Sequence, residues 1–251
     1  HDNHQKGRRI GLPFFCLLFF GQPDSMNTFV LRTAGMASDT ALLFSSDPAG
    51  DFAAWRGDRE TLAVVDEGAR RATAKSHRDF WRQVEKGACV SVAGGERVKN
   101  WKTVHAIHAA AAKCGLTRHG HILAIGGGAT LDAAGFAAAT WMRGIPALYV
   151  PTTLLAMVDA SVGGKTAINT SEGKNMVGAF HAPRAVLCTP AFLQTLSRVQ
   201  VLAGFAEMAK HALLLSREEF RRLAEQGDPA KWLLGDPQAA LDAIRDTVRW
   251  K

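Results

Sequence analysis

The sequence predicts an α/β protein, in which a parallel-sheet domain is followed by a helical domain. Short apolar runs rich in Val, Ile and Leu alternate with longer segments of helical period, which is typical of a parallel sheet flanked by helices. After Pro190 the helical period continues and no further strand pattern follows. The 251 residues, of which 47% are apolar and 21% charged, suffice for one large or two small hydrophobic cores.

The predicted elements follow in chain order. Strands are predicted at residues 61–65, 89–92, 121–125, 147–150 and 185–188. Helices are predicted at residues 98–114, 130–141, 191–196, 201–215, 218–226 and 239–251. The domain boundaries that follow are an extension at 1–25, an α/β domain at 26–196, and the start of a helical domain at 197–251. The helical pattern is still running at residue 251, so we expect this second domain to be incomplete.

The first 25 residues differ from the rest of the chain. A polar, basic stretch precedes the apolar run at residues 10–21, which is too short to span a bilayer. A signal peptide has this order, but Gln22-Pro23-Asp24-Ser25 is a poor cleavage site. We expect vector-derived residues, upstream read-through or a targeting segment here, with Met26 as a plausible start.

Charge and cysteine usage restrict the class of partner. The formal charge of +7 suits an anionic ligand, but no Lys/Arg run or aromatic interleaving is present. A small acidic molecule is therefore favoured over nucleic acid, and no membrane partner is expected. The cysteines at positions 16, 89, 114 and 188 form no C-x-x-C pair, so we expect reduced core thiols and a cytoplasmic protein.

A glycine turn is the strongest local signal. The predicted strand at 121–125 runs into Gly126-Gly127-Gly128, and a helix-forming stretch begins at Thr130. Glycines let the backbone approach a pyrophosphate, and a helix N-terminus favours its negative charge. Tight strand-to-helix turns also use glycine for steric reasons alone, and the turn lacks the G-x-G-x-x-G spacing. Both interpretations remain open at this point.

Residues 150–180 combine glycines with charged side chains. Asp159, Lys165, Lys174 and Asn175 lie in this stretch among glycines and hydroxyls. Gly164-Lys165-Thr166 resembles the end of a P-loop, but the first glycine of that motif would fall on Asp159, which would repel phosphate. A nucleotide kinase is therefore disfavoured, and the stretch is either a binding loop or a glycine-rich turn with solvated lysines.

A third group lies further along the chain. Glu207, Lys210 and His211 share one helical face by their three- and four-residue spacing. A carboxylate beside a cation is also a common surface pair, so this group by itself does not indicate a site.

Together these stretches resemble 3-dehydroquinate synthases, a family of sugar-phosphate cyclases. The motifs that carry the resemblance are AIGGGATLDAAGFAAATWMRGIP, VPTTLLAMVDASVGGKTAIN, GKNMVGAF and GFAEMAKHALL, in the order and spacing of the family. The resemblance implies a Rossmann-like domain and a helical domain, NAD and a divalent metal ion (zinc or cobalt) as cofactors, and a homodimer. It also implies that the family completes its metal site with two histidines located beyond residue 251, so we expect a fragment that is inactive by itself.

The resemblance assigns roles residue by residue. The implied NAD contacts are Asp66, Glu96, Lys99, Gly127, Gly128, Asp132, Thr152, Thr153, Lys174 and Thr195. The implied catalytic and substrate contacts are Arg143, Asp159, Lys165, Asn175, Lys210 and Lys251, the last being expected to be disordered as the terminal residue. The implied metal ligand is Glu207, with His211 expected to pack beside it. Leu131 departs from the family's usual glycine, but Asp132 is kept, so NAD binding is expected to survive.

The implied reaction converts 3-deoxy-arabino-heptulosonate 7-phosphate into 3-dehydroquinate and phosphate. NAD transiently oxidises the C5 hydroxyl while the metal ion acts as a Lewis acid, phosphate is eliminated, hydride returns, and the opened ring closes by aldol attack. The stretch DASVGGKT favours this branch of the cyclases. Alternatives are a cyclase acting on sedoheptulose 7-phosphate or glucose 6-phosphate, a related polyol or glycerol-phosphate dehydrogenase, and a non-catalytic NAD-binding fragment.

Overall fold

The computed structural model describes residues 17–20, 28–33, 39–56 and 60–251. Within these ranges the strands are β1 Leu17–Phe20, β2 Thr28–Thr33, β3 Thr40–Phe44, β4 Thr61–Asp66, β5 Ala88–Val92, β6 His121–Gly126, β7 Ala147–Pro151, β8 Lys165–Thr170, β9 Gly173–Phe180 and β10 Ala185–Cys188. The helices are α1 Pro48–Arg56, α2 Glu67–Thr73, α3 Arg78–Val84, α4 Trp101–Lys113, α5 Gly128–Thr140, α6 Arg198–Leu215, α7 Arg217–Ala224, α8 Pro229–Gly235 and α9 Pro237–Trp250.

Eight of these strands form one sheet in the order β1-β2-β3-β10-β7-β6-β4-β5. The six strands from β3 to β5 in this order pair in parallel, whereas β1 and β2 extend the sheet antiparallel at one edge. The predicted α/β class with a mostly parallel sheet is confirmed. Strands β8 and β9 form a separate two-stranded hairpin that packs against α5.

The central strands are buried on both faces. Every residue of β6, β7 and β10 is buried, so these strands are continuous apolar runs without alternation. All five predicted strands, which include these three, agree with the structure to within one residue at each end. The hairpin and strands β2 and β3 were not predicted.

The observed helix boundaries differ from the predicted ones more than the strand boundaries do. The helix predicted at 98–114 begins only at Trp101, because Asn100 caps it by accepting a hydrogen bond from the Thr103 amide. A short 3-10 turn, Glu96–Val98, precedes it. The segment predicted as a helix at 191–196 is instead a 3-10 turn, Pro190–Thr195.

From Arg198 onward the described chain is helical. Ser197 begins α6 with a capping box, in which its hydroxyl and the Gln200 side chain satisfy each other's backbone amides. Helices α8 and α9 each begin with a proline that follows an aspartate cap. In the part of the chain that the structure describes, no helix is both long and apolar enough to cross a bilayer.

The cysteines and the first 25 residues depart in part from the expectations. Cys188 is buried as expected, but Cys89 and Cys114 are exposed, so the prediction of core thiols is wrong for these two. Cys89 lies on the edge strand β5 and Cys114 caps the end of α4, and both positions face solvent. Cys16 lies outside the described residues. Strand β1 shows that four residues of the predicted extension at 1–25 pair with the sheet.

Candidate active site

The candidate site begins where the strand order reverses. Strand β4 pairs with β5 on one side and with β6 on the other, so the chain crosses over between β4 and β6. In open α/β sheets, ligands bind outside the carboxyl ends of the strands at such a point. Asp66 ends β4 and Gly126 ends β6, and a Cβ on Gly126 would lie 2.8 Å from Cβ of Asp66.

The turn after β6 leads directly into α5. Gly127 is the N-cap residue of this 13-residue helix, and no side chain caps it. A Cβ on Gly127 would lie 3.4 Å from the Thr153 methyl, and one on Gly128 would lie 3.0 Å from Cβ of Ala160. The glycines therefore let the helix N-terminus lie close to the loop after β7. Leu131, the departure from the family pattern, is fully buried in the core.

Three predicted cofactor contacts surround this turn. The Asp66 carboxylate accepts hydrogen bonds from the amides of Gly68 and Ala69, which caps α2. The Thr152 amide donates to the Gly126 carbonyl at 2.9 Å, and the Thr152 side chain is buried. The Thr153 hydroxyl accepts from the Ala156 amide at 3.2 Å. The structure thus brings Asp66, Thr152 and Thr153 together at one end of the sheet.

A cavity of about 620 Å³ opens beside α5. Its charged lining consists of Asp132, Asp159, Lys165, Lys210 and Lys251, with Asn175 and His211 beside them. Three lysines against two aspartates leave a positive balance. The turn at Gly163 and Gly164 brings Lys165 to this lining. The φ angles of these two residues are 107° and 68°, which residues other than glycine rarely adopt, so the turn requires glycine.

Lys251 belongs to this lining, so the expectation that it is disordered is wrong. Its ammonium donates to the Asp159 carbonyl and to Asp159 Oδ1, both at 2.6 Å, and to the Val162 carbonyl at 2.8 Å. Asp159 itself lies in a π-helical turn, Ala156–Ala160. Burial lowers the pKa of Lys251, and the charge of Asp159 opposes that shift.

Lys99 connects two predicted contacts. Its side chain is 5% exposed, and its ammonium donates to the carboxylate of Asp132 and to the side-chain oxygen of Asn175. Burial raises the pKa of Asp132, whereas the charge and hydrogen bond of Lys99 lower it. Because a buried charge is stabilised only when paired, Lys99 and Asp132 depend on each other.

Three potential metal ligands converge at the far side of the cavity. One ligand atom each from Asp159, Glu207 and His211 lies within 4.8 Å of the other two. His211 Nε2 is 2.9 Å from Glu207 Oε1, and the Lys210 ammonium also contacts that oxygen. Burial raises the pKa of Glu207, but the hydrogen bonds from Lys210 and His211 outweigh this effect, so the pKa is lowered.

Other predicted site residues lie outside this cavity lining. Arg143 is exposed at a turn with a φ of 70°, Lys174 is exposed on β9, and Thr195 is exposed with its hydroxyl directed to the Phe192 carbonyl. Glu96 is exposed and accepts a hydrogen bond from Asn169. The structure does not bring Arg143, Lys174 and Thr195 to the cavity, and their roles stay predictions.

Sequence reasoning missed the role of Asn169. This residue contacts the backbone of Lys99 and Asn175 and the side chain of Glu96. An asparagine within a polar, glycine-rich loop carries no periodic or motif signal, so its contacts become visible only in the folded chain.

The sequence comparisons find 3-dehydroquinate synthases. Residues 89–203 match the model of the 3-dehydroquinate synthase N-terminal region. A 3-dehydroquinate synthase of Prochlorococcus marinus (strain MIT 9211) is 48% identical over 162 residues, which are 64% of this chain and 44% of that protein. One of Streptomyces avermitilis is 42% identical over 195 residues, or 76% of this chain and 50% of that protein. The chain spans about half the length of the curated relatives it matches.

Solved structures give the same fold. The 2-epi-5-epi-valiolone synthase of Streptomyces hygroscopicus subsp. jinggangensis, with NAD⁺ and Zn²⁺ bound, superposes with a TM-score of 0.73 at 29% identity, over 86% of this chain and 60% of that one. A 2-deoxy-scyllo-inosose synthase complexed with carbaglucose-6-phosphate, NAD⁺ and Co²⁺ superposes with a TM-score of 0.71 at 25% identity, over 89% of this chain and 62% of that one. Over the part that these proteins match, the chain is similar to 3-dehydroquinate synthases in sequence and to sugar-phosphate cyclases in fold.

Proposed function

We propose that this chain is the NAD-binding part, with the beginning of the metal-binding part, of a 3-dehydroquinate synthase. The intact enzyme would convert 3-deoxy-arabino-heptulosonate 7-phosphate into 3-dehydroquinate and phosphate, a step of the shikimate pathway to aromatic amino acids. The observation that carries the proposal is the lysine-rich cavity beside the glycine turn at the reversal point of the sheet. Identities of 42–49% to proteins of that name support it.

The cavity suits a substrate that carries both a carboxylate and a phosphate. Lys165, Lys210 and Lys251 line it, and ammonium groups bind such anions through charge-assisted hydrogen bonds. Two of these lysines are paired with acidic groups, Lys210 with Glu207 and Lys251 with Asp159. An entering anion would therefore compete with these carboxylates for the ammonium groups.

NAD suits the turn between β6 and α5. Gly127 and Gly128 leave the approach to the α5 N-terminus free of side chains, and a pyrophosphate is stabilised at such a position. Asp66 lies at the end of the adjacent strand, within reach of a ribose. When bound, NAD would accept a hydride from the substrate carbon that carries the oxidised hydroxyl and later return it. The metal ion would act as a Lewis acid on the oxygen of that hydroxyl.

The metal assignment rests on Glu207. Asp159 and His211 lie close enough to complete a three-ligand group of a kind that zinc accepts. The Lys210 ammonium contacts the Glu207 carboxylate and the Lys251 ammonium contacts that of Asp159, however, so a cation bound there would have to displace two ammonium groups. Glu207→Gln should lower the zinc content measured by elemental analysis, and an unchanged stoichiometry would contradict the ligand role.

The decisive assay uses the enzyme expressed from the whole reading frame. We expect phosphate release and 3-dehydroquinate formation from the heptulosonate phosphate, with no net accumulation of NADH. Turnover of sedoheptulose 7-phosphate or glucose 6-phosphate instead would indicate another cyclase, as the structural likeness to valiolone and inosose synthases allows. Net NADH formation would indicate a dehydrogenase. A homodimeric, cytoplasmic enzyme is part of the proposal, to be checked by light scattering and by localisation of the whole protein.

If the reading frame ends at residue 251, the alternative is a non-catalytic NAD-binding protein. Binding of NAD without metal and without turnover would support that alternative.

A further inference from the structure

Asn169 uses three polar groups to connect two segments of the candidate site. Its amide donates to the Lys99 carbonyl at 2.8 Å, and its side-chain Nδ2 donates to Glu96 Oε1 at 2.9 Å. Its side-chain Oδ1 accepts from the Asn175 amide at 2.9 Å. One asparagine thus joins the segment that carries Glu96 and Lys99 to the strand that carries Asn175.

The local backbone explains the direction of this side chain. The register of the β8–β9 hairpin shifts between Ile168 and Thr170, so Asn169 lies at an irregularity of the ladder. Such irregularities bend the strand that carries the extra residues, here β9, and are common beside active sites. Asn169 alone therefore stands opposite three residues of β9, 174 to 176, and its side chain contacts both Glu96 and the Asn175 amide.

Asn175 depends on this contact. Its φ of 58° lies in the left-handed region, which costs free energy for a residue other than glycine. Two contacts hold it there: Asn169 accepts from its amide, and the Lys99 ammonium donates to its side-chain oxygen. The side chain of Asn175 consequently lines the cavity at a fixed position.

Lys99 closes the ring of contacts. Its carbonyl is held by the Asn169 amide, while its ammonium contacts Asp132 and Asn175. The Asn169 side chain in this way connects the predicted cofactor contact Glu96 to the predicted substrate contact Asn175, and its backbone amide holds Lys99, which itself contacts Asp132 and Asn175.

We propose that Asn169 is a positioning residue, which fixes the cofactor contacts Glu96 and Lys99 relative to the substrate contact Asn175. We call the contacts of Asn169 with Glu96, Lys99 and Asn175 the clamp. That the ligands are NAD and a sugar phosphate rests on the proposed function, whereas the clamp rests on the contacts alone. Its loss should weaken NAD binding even though Asn169 need not touch the cofactor.

Two substitutions separate the roles of the side chain. Asn169→Asp keeps an acceptor for the Asn175 amide but sets a carboxylate against that of Glu96. We expect it to raise the Kd for NAD by about tenfold, the scale of losing a hydrogen bond to a charged group. In the double variant Asn169→Asp with Glu96→Gln, the amide at position 96 can donate to the carboxylate at position 169, so the hydrogen bond is reversed. We expect the Kd for NAD of this double variant to be at least threefold lower than that of N169D. A variant damaged only in its folding would show no such rescue.

Asn100→Asp is the matched control. It adds the same charge one residue from Lys99, and an aspartate caps α4 as well as an asparagine does. Its Kd for NAD should stay within about twofold of the wild-type value, as measured by calorimetry on the same chain. An N169D variant that binds NAD as tightly as wild type would overturn the positioning role.

A second measurement does not depend on NAD. Asn175 is exposed, so the hydrogen bond to Asn169 is the contact that protects its amide from exchange. Hydrogen exchange of the Asn175 amide should be slow in the wild type and in N169D, and markedly faster in Asn169→Ala. Equal exchange in wild type and N169A would refute the clamp. A wild-type chain that fails to bind NAD but shows this exchange pattern would refute the proposed function and leave the clamp standing.

Discussion

The ammonium of Lys251 lies 2.6 Å from Oδ1 of Asp159 and ties the end of α9 to the π-helical turn at Ala156–Ala160. It also donates to two backbone carbonyls, so all three ammonium protons have an acceptor. The contact joins the last helix of the described chain to the loop after β7. Lys251 therefore adds three hydrogen bonds to the packing of α9 at one wall of the cavity.

Replacing Lys251 by methionine should loosen that wall. The variant removes three charge-assisted hydrogen bonds but leaves Asp159 able to bind water, since its side chain is 44% exposed. We expect a loss of about 1 kcal/mol in the free energy of unfolding, with faster amide exchange at the end of α9. Lys231→Met, which removes an exposed lysine on α8, is the control and should change neither quantity. Unchanged exchange in K251M would show that the contact does not hold the helix.

Glu207 should make stability depend on acidic pH. Its folded-state pKa is lowered, so its contribution to stability is present above the unfolded pKa of about 4.3 and is lost as the pH falls through the folded value. In the presence of a chelator, Glu207→Gln should therefore be less stable than wild type near pH 7, by at most about 1 kcal/mol because Lys210 is half exposed. The difference should vanish well below pH 4 in thermal unfolding curves. A difference that stays constant with pH would exclude an ionised, paired Glu207.

Lys165 should serve the substrate rather than the cofactor. It begins β8 and lines the cavity, whose lining includes neither Gly127 nor Gly128. In the intact enzyme, Lys165→Ala should raise the KM for the heptulosonate phosphate by about tenfold or more, because one ammonium that meets an anionic group is lost. The Kd for NAD should change by less than about twofold. Lys113→Ala, at the exposed end of α4, is the control and should change neither value. If calorimetry showed that Lys165→Ala weakens the binding of substrate and of NAD equally, the assignment would be contradicted.

The sequence alone predicted the central sheet well because these strands are buried on both faces. Runs such as those of β6 and β7 consist almost entirely of apolar residues, and burial on two sides requires that composition. The β8–β9 hairpin escaped prediction because most of β9 is exposed and its residues combine lysine, asparagine and glycine. No alternation of apolar and polar residues marks it as a strand.

The site was predictable in its residue types but not in its contacts. Asp159 and Lys165 were singled out in the glycine-rich stretch and Asp132 through the family resemblance, and the structure brings all three to one cavity. The contact of Lys99 with Asn175 and that of Lys251 with Asp159 join residues that are 76 and 92 positions apart. Only the packing of α5, α9 and the hairpin determines such contacts, and no local pattern encodes them.

The close approach of Gly135 to Tyr149 provides a test of the core beneath the cavity. A Cβ on Gly135 of α5 would lie 2.0 Å from Oη of Tyr149 and 2.6 Å from the methyl of Thr166. The Tyr149 hydroxyl is buried and makes no hydrogen bond within the described chain, and its burial raises the pKa. Gly135→Ala should therefore lower the free energy of unfolding by about 2 to 3 kcal/mol, as overpacking does.

Tyr149→Phe should relieve this clash. The phenylalanine variant alone should be neutral or slightly stabilising, because it removes a buried hydroxyl without a partner. In the G135A background it should restore more than half of the lost stability, since the nearest remaining ring atom, Cζ, lies 3.2 Å from the added methyl. Adding Thr166→Ser should recover part of the remainder by removing the second close methyl. Denaturant unfolding of the four combinations measures the coupling, and a G135A variant equally unstable with tyrosine and with phenylalanine would show that α5 moves away from β7 instead.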